Sequence, residues 1–162
     1  MNPNVDLLRR FFTGLQQADI EIVRACYAPD VVYRDPVFGT LRGERAIDMW
    51  DMIFSRDEEP LRITFGDLDA DEHTGSARWQ ARYVFSRSGR TVRNVITASF
   101  RFEAGRIVEH QDSYSVYRWT RMALGPTGRL LGWAPPLRVA LRRQTAKRLD
   151  KFASSRASGD RG

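Results

Sequence analysis

The sequence predicts an α+β fold, with helices gathered at the N-terminus and a mostly antiparallel sheet following them. Apolar residues recur at helical spacing through the first third, and from Leu61 the period changes to two. Helical spacing then returns after Pro135-Pro136. A length of 162 residues suits one domain, and 42% hydrophobic with 11% aromatic content can fill one core.

Leu8, Phe11, Phe12 and Leu15 share a helical face after Pro3, a residue suited to a first turn. Asp19 is a good N-cap for a second helix that carries Ile20, Val23, Cys26 and Tyr27 and stops before Pro29. A short strand, Val31 to Arg34, runs into Asp35-Pro36. A third helix follows Gly43, with Ala46, Ile47, Trp50, Ile53 and Phe54 on its apolar side.

Beyond Leu61, the residues Leu61, Ile63 and Phe65 alternate, and Asp71 to Gly75 is a polar turn in which His73 faces solvent. Trp79, Ala81, Tyr83 and Phe85 share one strand face, while Arg78, Gln80 and Arg82 take the other. Ser88-Gly89 marks a hairpin turn. Val92, Asn94, Ile96, Ala98, Phe100 and Phe102 form the inner row of the next strand.

The last hairpin decides where two polar residues point. Phe100 and Phe102 face inward, because Arg101 and Glu103 would otherwise be buried. Glu109 and Gln111 belong outside for the same reason, which puts Val108, His110, Asp112 and Tyr114 inside. An odd loop, Glu103-Ala104-Gly105, satisfies both strands; an even loop reverses one face. His110 and Asp112 lie about 7 Å apart along the strand, a spacing that suits two ends of a bound polar group or water better than a direct pair.

After Tyr117, Gly125-Pro126-Thr127-Gly128 breaks the chain and Leu130-Leu131-Gly132-Trp133 is an apolar patch. An amphipathic helix then places Leu137, Ala140, Leu141, Leu149 and Phe152 on one stripe. The organisation read from this is a main domain over residues 1–118, a basic helical extension over 119–153 and a flexible tail over 154–162.

Charge is unevenly placed. The net of +6 arises from the C-terminal part, where 11 basic residues face 2 acidic ones from Arg118 onward. Arg138, Arg142, Arg143, Lys147, Arg148 and Lys151 form either the solvated face of a helix packed on the domain or a second subunit, or a surface for an anionic membrane. Nucleic acid is not expected as a partner, because no reading motif accompanies the charge. One cysteine, Cys26, excludes an internal disulfide and a thiolate metal cluster. The chain lacks an export signal and a membrane-length apolar run, so it is expected in the cytoplasm. It also lacks a phosphate loop, a Gly-x-Gly-x-x-Gly run, a Gly-x-Ser-x-Gly elbow and a His-Glu-x-x-His pair.

The element order, together with two motifs, resembles the nuclear transport factor 2-like superfamily over about residues 5–118. Tyr33-Arg34-Asp35-Pro36-Val37 is similar to the ketosteroid isomerase signature around its catalytic aspartate. Gly105-Arg106-Ile107-Val108-Glu109-His110-Gln111-Asp112 is similar to the strand of SnoaL-like polyketide cyclases that carries an acid/base aspartate. The resemblance implies a curved sheet wrapped around a cone-shaped pocket, closed on one side by the N-terminal helices. It also implies a homodimer built on the outer sheet face. The superfamily includes isomerases, cyclases, dehydratases, epoxide hydrolases and non-catalytic binders.

On this reading Asp35 is the base, its proton affinity raised among apolar neighbours, with His110 and Asp112 as proton donor or positioning groups. The bland alternatives are that Asp35 merely starts a turn and that His110 and Asp112 satisfy each other through water. Tyr33, Trp50, Trp79, Tyr83, Asn94 and Tyr114 are the expected ligand-facing residues, with Phe100 and Phe102 flooring the pocket. Ketosteroid isomerase also uses a tyrosine and a protonated aspartate as oxyanion donors. The matching positions are Phe11 and Ala98, so steroid isomerisation would need His110, Tyr114 or Trp79 as substitute donor. The expected function is an acid/base enzyme of isomerase, cyclase or dehydratase type, working without cofactor or metal on a small hydrophobic carbonyl- or hydroxyl-bearing molecule. The alternative is a non-catalytic module of the same fold, which binds a hydrophobic ligand or a partner protein and reaches a membrane surface through its basic helix.

Overall fold

The computed structural model describes residues 2–56, 61–126 and 135–159. Helix α1 (Pro3–Gln17) starts where Asn2 caps the Asn4 amide and ends at Ala18 in the left-handed conformation. Asp19 then caps α2 (Ile20–Cys26) by accepting from the Glu21 and Ile22 amides. Tyr27 is not the last residue of that helix. It opens strand β1 (Tyr27–Asp35), which is longer than its apolar pattern implies because an irregularity between Tyr27 and Val32 lets it bend past Pro29.

A short β2 (Gly39–Arg42), unmarked by any alternation, pairs antiparallel with β1. Gly43 follows at φ 56°, and a Cβ there would sit 3.0 Å from the Pro29 carbonyl oxygen. Only glycine suits that turn, and it releases the chain into α3 (Glu44–Phe54). The meander is β3 (Arg62–Ala70), β4 (Thr74–Phe85), β5 (Arg90–Glu103) and β6 (Arg106–Ser113). The sheet order is β2-β1-β6-β5-β4-β3, antiparallel throughout except where β1 runs parallel to β6.

The inner row of β5 is buried at every position from Val92 to Phe102, as its alternation requires. It meets Leu8, Phe11, Phe12 and Leu15 of α1 and Ala46, Ile47 and Trp50 of α3 in one core. Phe12 stacks on Phe65 with ring centres 5.2 Å apart, which seats α1 on β3.

The β5–β6 hairpin differs from its expected form. Glu103 pairs directly with Arg106, so the loop is the even pair Ala104-Gly105, both at positive φ as in a type I′ turn. Register then shifts, with Arg101 opposite Glu109 and Phe102 opposite Ile107. Val108 is the extra residue of a bulge, and Ile107 rather than Val108 is buried. The bulge restores the parity that the turn removed. His110 and Asp112 therefore still point inward.

The chain continues into α4 (Val116–Leu124), which the sequence reading did not separate from the break that follows it. Its Trp119 and Ala123 cover Val92 at one end of the inner face. The last helix, α5 (Pro135–Gly159), runs through residues 154–159, which the sequence reading assigned to a tail. Leu149 is fully buried, Leu141 and Phe152 are partly so, and Ala140 is exposed instead of joining the stripe. Leu130, Leu131, Trp133 and the Leu137 side chain lie outside the described residues. Ion pairs from Arg45 to Asp150, and from Arg156 to Asp48 and Asp51, tie α5 to α3. The guanidinium of Arg142 donates to the Pro36 carbonyl at 3.0 Å, so the helix also grips the turn after Asp35. Among the described residues, no helix is long and apolar enough to cross a membrane.

Candidate active site

Parallel pairing sets Tyr33 opposite His110, and β6 carries Asp112 one step further along the same face. At the end of β1, Asp35 divides its two oxygens between two tasks. One accepts from the Val37 amide at 2.8 Å and from the Phe38 amide, an Asx turn that folds the chain toward β2. The other accepts from the Tyr33 hydroxyl at 3.2 Å. Asp35 thus makes the turn and also reaches the hydroxyl of Tyr33.

His110 and Asp112 form a direct pair, Nε2 to Oδ1 at 2.8 Å, and are not bridged by a bound group as their backbone spacing suggested. Their side chains lean toward each other along the strand, and both are buried. Trp79 Nε1 donates to the same Asp112 oxygen at 3.2 Å, and the Tyr33 hydroxyl lies 3.0 Å from the other. On its far side His110 Nδ1 is 2.7 Å from the Tyr27 hydroxyl, which accepts from Trp50 Nε1 at 3.0 Å.

The polarity of this chain follows from its ends. An indole N–H only donates, so the Tyr27 hydrogen is directed to His110 Nδ1. With Nδ1 accepting from Tyr27, the hydrogen on Nε2 is the one directed at Asp112. Tyr33 is the remaining question, because one hydroxyl hydrogen faces two carboxyl groups. While Asp35 is ionised the Tyr33 hydrogen can serve it; once Asp35 carries a proton, it donates to the Tyr33 oxygen and the Tyr33 hydrogen goes to Asp112.

The electrostatics bring both states of Asp35 within reach near pH 6. Burial raises the Asp35 carboxyl to about 6, opposed by the Phe38 amide and reinforced by the charge of Asp112. Burial also holds the hydroxyls of Tyr27, Tyr33 and Tyr114 well above the usual tyrosine value, so they remain protonated. Cys26, also buried, has its thiol pushed up and takes no part.

Asp35 and Asp112 line a cavity of about 210 Å³, together with Tyr33, Trp50, Trp79, Tyr83, Asn94 and Tyr114. All six residues expected to face a ligand are therefore brought together. His110 is not at the wall; it stands behind Asp112. Phe100 and Phe102 are core, and Phe100 stacks on the His110 ring with centres 4.5 Å apart. Phe11 and Ala98 are fully buried at the two positions that lack a hydrogen-bond donor. Two of the three substitute donors are also committed, since His110 and Trp79 both serve Asp112. Tyr114, whose hydroxyl interacts with Asp35, and Asn94 also bring donors to the wall.

Sequence reasoning missed part of the wall. Trp119 of α4 donates to the Tyr83 hydroxyl at 2.6 Å, and Leu141, Gln144 and Thr145 of α5 close one side. The basic extension is thus a wall of the cavity, with Arg148 and Arg87 both exposed among its lining residues. Arg56 lies 5.0 Å over the Tyr83 ring. The intermediate apolar positions of α5 carried a signal for packing, but none for which surface they meet. Tyr27 was also missed as a network member; a fully buried phenol needs a partner, and that need was the available clue. Among the described residues, no three His, Cys, Asp or Glu side chains gather as metal ligands.

The architecture has many solved counterparts. An epoxide hydrolase of M. tuberculosis, described as LEH-like, superposes with TM-score 0.64 at 19% identity over 80% of this chain and 95% of that one. A hypothetical protein of ketosteroid isomerase-like fold from Catenulispora acidiphila, in complex with trimethylamine, gives 0.65 at 15% identity over 83% and 100%. A candidate polyketide cyclase from Pseudomonas putida gives 0.62 at 15% identity over 76% and 98%. At these identities the likeness is one of fold. No curated protein matches the chain significantly. The family model of the SnoaL-like domain matches residues 8–110, and the chain belongs to that family of the nuclear transport factor 2-like superfamily.

Proposed function

We propose that this protein is an acid/base enzyme that moves a proton on a small, largely apolar molecule bearing a carbonyl or hydroxyl group, with no cofactor. One observation carries the reading: the Tyr33 hydroxyl is shared between Asp35 and Asp112 at the cavity wall, 3.2 and 3.0 Å from their oxygens. Asp35 is the base, and its value of about 6 splits it between acid and base forms near neutral pH. A C–H beside a carbonyl, brought against the Tyr33-facing oxygen of Asp35, gives up its proton there, and the electron pair moves onto the carbonyl oxygen. The new acid donates a hydrogen bond to Tyr33, whose own hydroxyl hydrogen turns to Asp112, so the proton stays on Asp35 and no group is left unpaired. The same proton then returns to another atom of the molecule in an isomerisation or cyclisation, or departs with a hydroxyl as water in a dehydration. Asn94 and Tyr114 are the donors placed to meet the developing oxyanion. His110 is a positioning residue, holding Asp112 from behind.

The cavity size and its aromatic walls favour a flat molecule, and Arg87 and Arg148 favour one whose polar end reaches the rim. The test is turnover of a panel of cyclic ketones and hydroxylated aromatic compounds. Asp35→Asn is expected to lower kcat by about 10²–10⁴-fold, the usual contribution of a general base. Unchanged turnover in both Asp35→Asn and Asp112→Asn defeats the assignment. Ligand binding that survives both changes, without turnover by the unaltered protein, supports a binding module instead.

A further inference from the structure

We infer that the groove between the edge of β5 and helix α4 docks an extended acidic segment of a partner protein. Strand β6 stops at Ser113, opposite Thr97, so residues 91–96 of β5 have β4 on one side and no described strand on the other. A groove of about 650 Å³ lies along that free stretch. Arg93, Asn94 and Val95 all line it, although their side chains alternate between faces, so the groove follows the backbone edge itself. An extended chain laid there meets ladder groups that strand pairing has not used.

Charge identifies the occupant. Arg90, Arg93, Arg118 and Arg121 line the groove, and no described carboxylate does. Two of the guanidiniums are held in place, Arg90 by donating to the Met122 carbonyl at 2.9 Å and Arg121 5.8 Å over the Tyr117 ring. The positive field continues onto the outer sheet face, where Arg62 sits opposite Arg82 and Arg82 opposite Arg93. Like charges directly opposite on neighbouring strands repel, a cost that an anionic partner offsets. Val95, 54% exposed, adds an apolar contact between the arginines. A second copy docking by this groove would bring two arginine-lined grooves together. A flat membrane surface does not enter a groove, and a nucleic acid has no use for the strand edge.

The probe is a fluorescein-labelled peptide of alternating glutamate and valine, titrated against the full chain by anisotropy at low and high salt. Saturable binding that weakens with salt is expected. The double change Arg93→Glu/Arg118→Glu should weaken it at least about tenfold, with a smaller loss in Arg93→Gln and Arg118→Gln singly. Replacing each valine of the probe by proline, which removes backbone donors, should also weaken it. Both substituted positions are exposed, and circular dichroism checks that each variant is folded. Absence of binding, equal affinity in the double variant, or tighter binding of a single-stranded oligonucleotide or of phosphatidylserine vesicles overturns the inference.

Discussion

His110 and Asp112 leave the same strand two residues apart, yet Nε2 of one lies 2.8 Å from Oδ1 of the other. The contact closes a line of hydrogen bonds from the Trp50 indole through Tyr27, His110, Asp112 and Tyr33 to Asp35. The donors of this buried line point toward Asp112 from both sides, with His110, Trp79 and Tyr33 all directed at its carboxyl.

The His110 tautomer is the first consequence. Nitrogen-15 spectra of histidine-labelled protein should show Nε2 protonated and Nδ1 bare at neutral pH. Tyr27→Phe removes the Nδ1 donor and leaves the Trp50 N–H without its acceptor. A loss of about 1–3 kcal/mol is expected in denaturant titration, with Nδ1 free to change state. An unchanged His110 spectrum in that variant would contradict the proposed polarity.

Asp35→Asn should stabilise the fold above pH 6 while lowering the proposed turnover. The folded-state value of about 6 exceeds that of an ordinary aspartate, so the folded protein binds this proton more tightly than the unfolded chain. The resulting stabilisation is full below the ordinary aspartate range and is lost as pH rises through about 6. Asparagine copies the protonated form, accepting from the turn amides and donating to Tyr33. A gain of about 1–3 kcal/mol is expected at pH 7.5, vanishing near pH 4. Thermal melts at the two pH values check it; equal changes at both would contradict it.

Tyr33→Phe removes the hydroxyl between the two carboxyls. Because that hydroxyl lowers the Asp35 value, the Asp35 titration should move upward from about 6. Carboxyl carbon-13 shifts follow it without a substrate, and the acid limb of any rate profile should move in the same direction. A downward move would contradict the shared-hydroxyl arrangement.

Ala104→Asn tests the hairpin turn. Ala104 sits at φ 50° before Gly105 at φ 73°, and Asn-Gly is the pair such a turn prefers. A gain of roughly 0.5–1 kcal/mol is expected in denaturant titration, the usual scale for relieving an unfavourable backbone position. A destabilised variant would argue against the type I′ turn.

Period and polarity along the chain were enough to separate helix from strand and to assign nearly every inner row. They also placed Asp112 inside from the exposure that Glu109 and Gln111 require, even though the turn proved even and a bulge at Val108 supplied the parity. Asp35 and five of the six residues facing the cavity were legible for a related reason, since each lies on a strand or helix face that the pattern orients; Tyr114 follows directly on the end of β6. What stayed hidden depends on residues far apart in the chain: Tyr27 against His110, Tyr33 against Asp112, Arg142 against Pro36, and α5 as a cavity wall. Local pattern sets which way a side chain points. Which partner it meets is set by strand register and helix docking, and these are decided only when the whole chain packs.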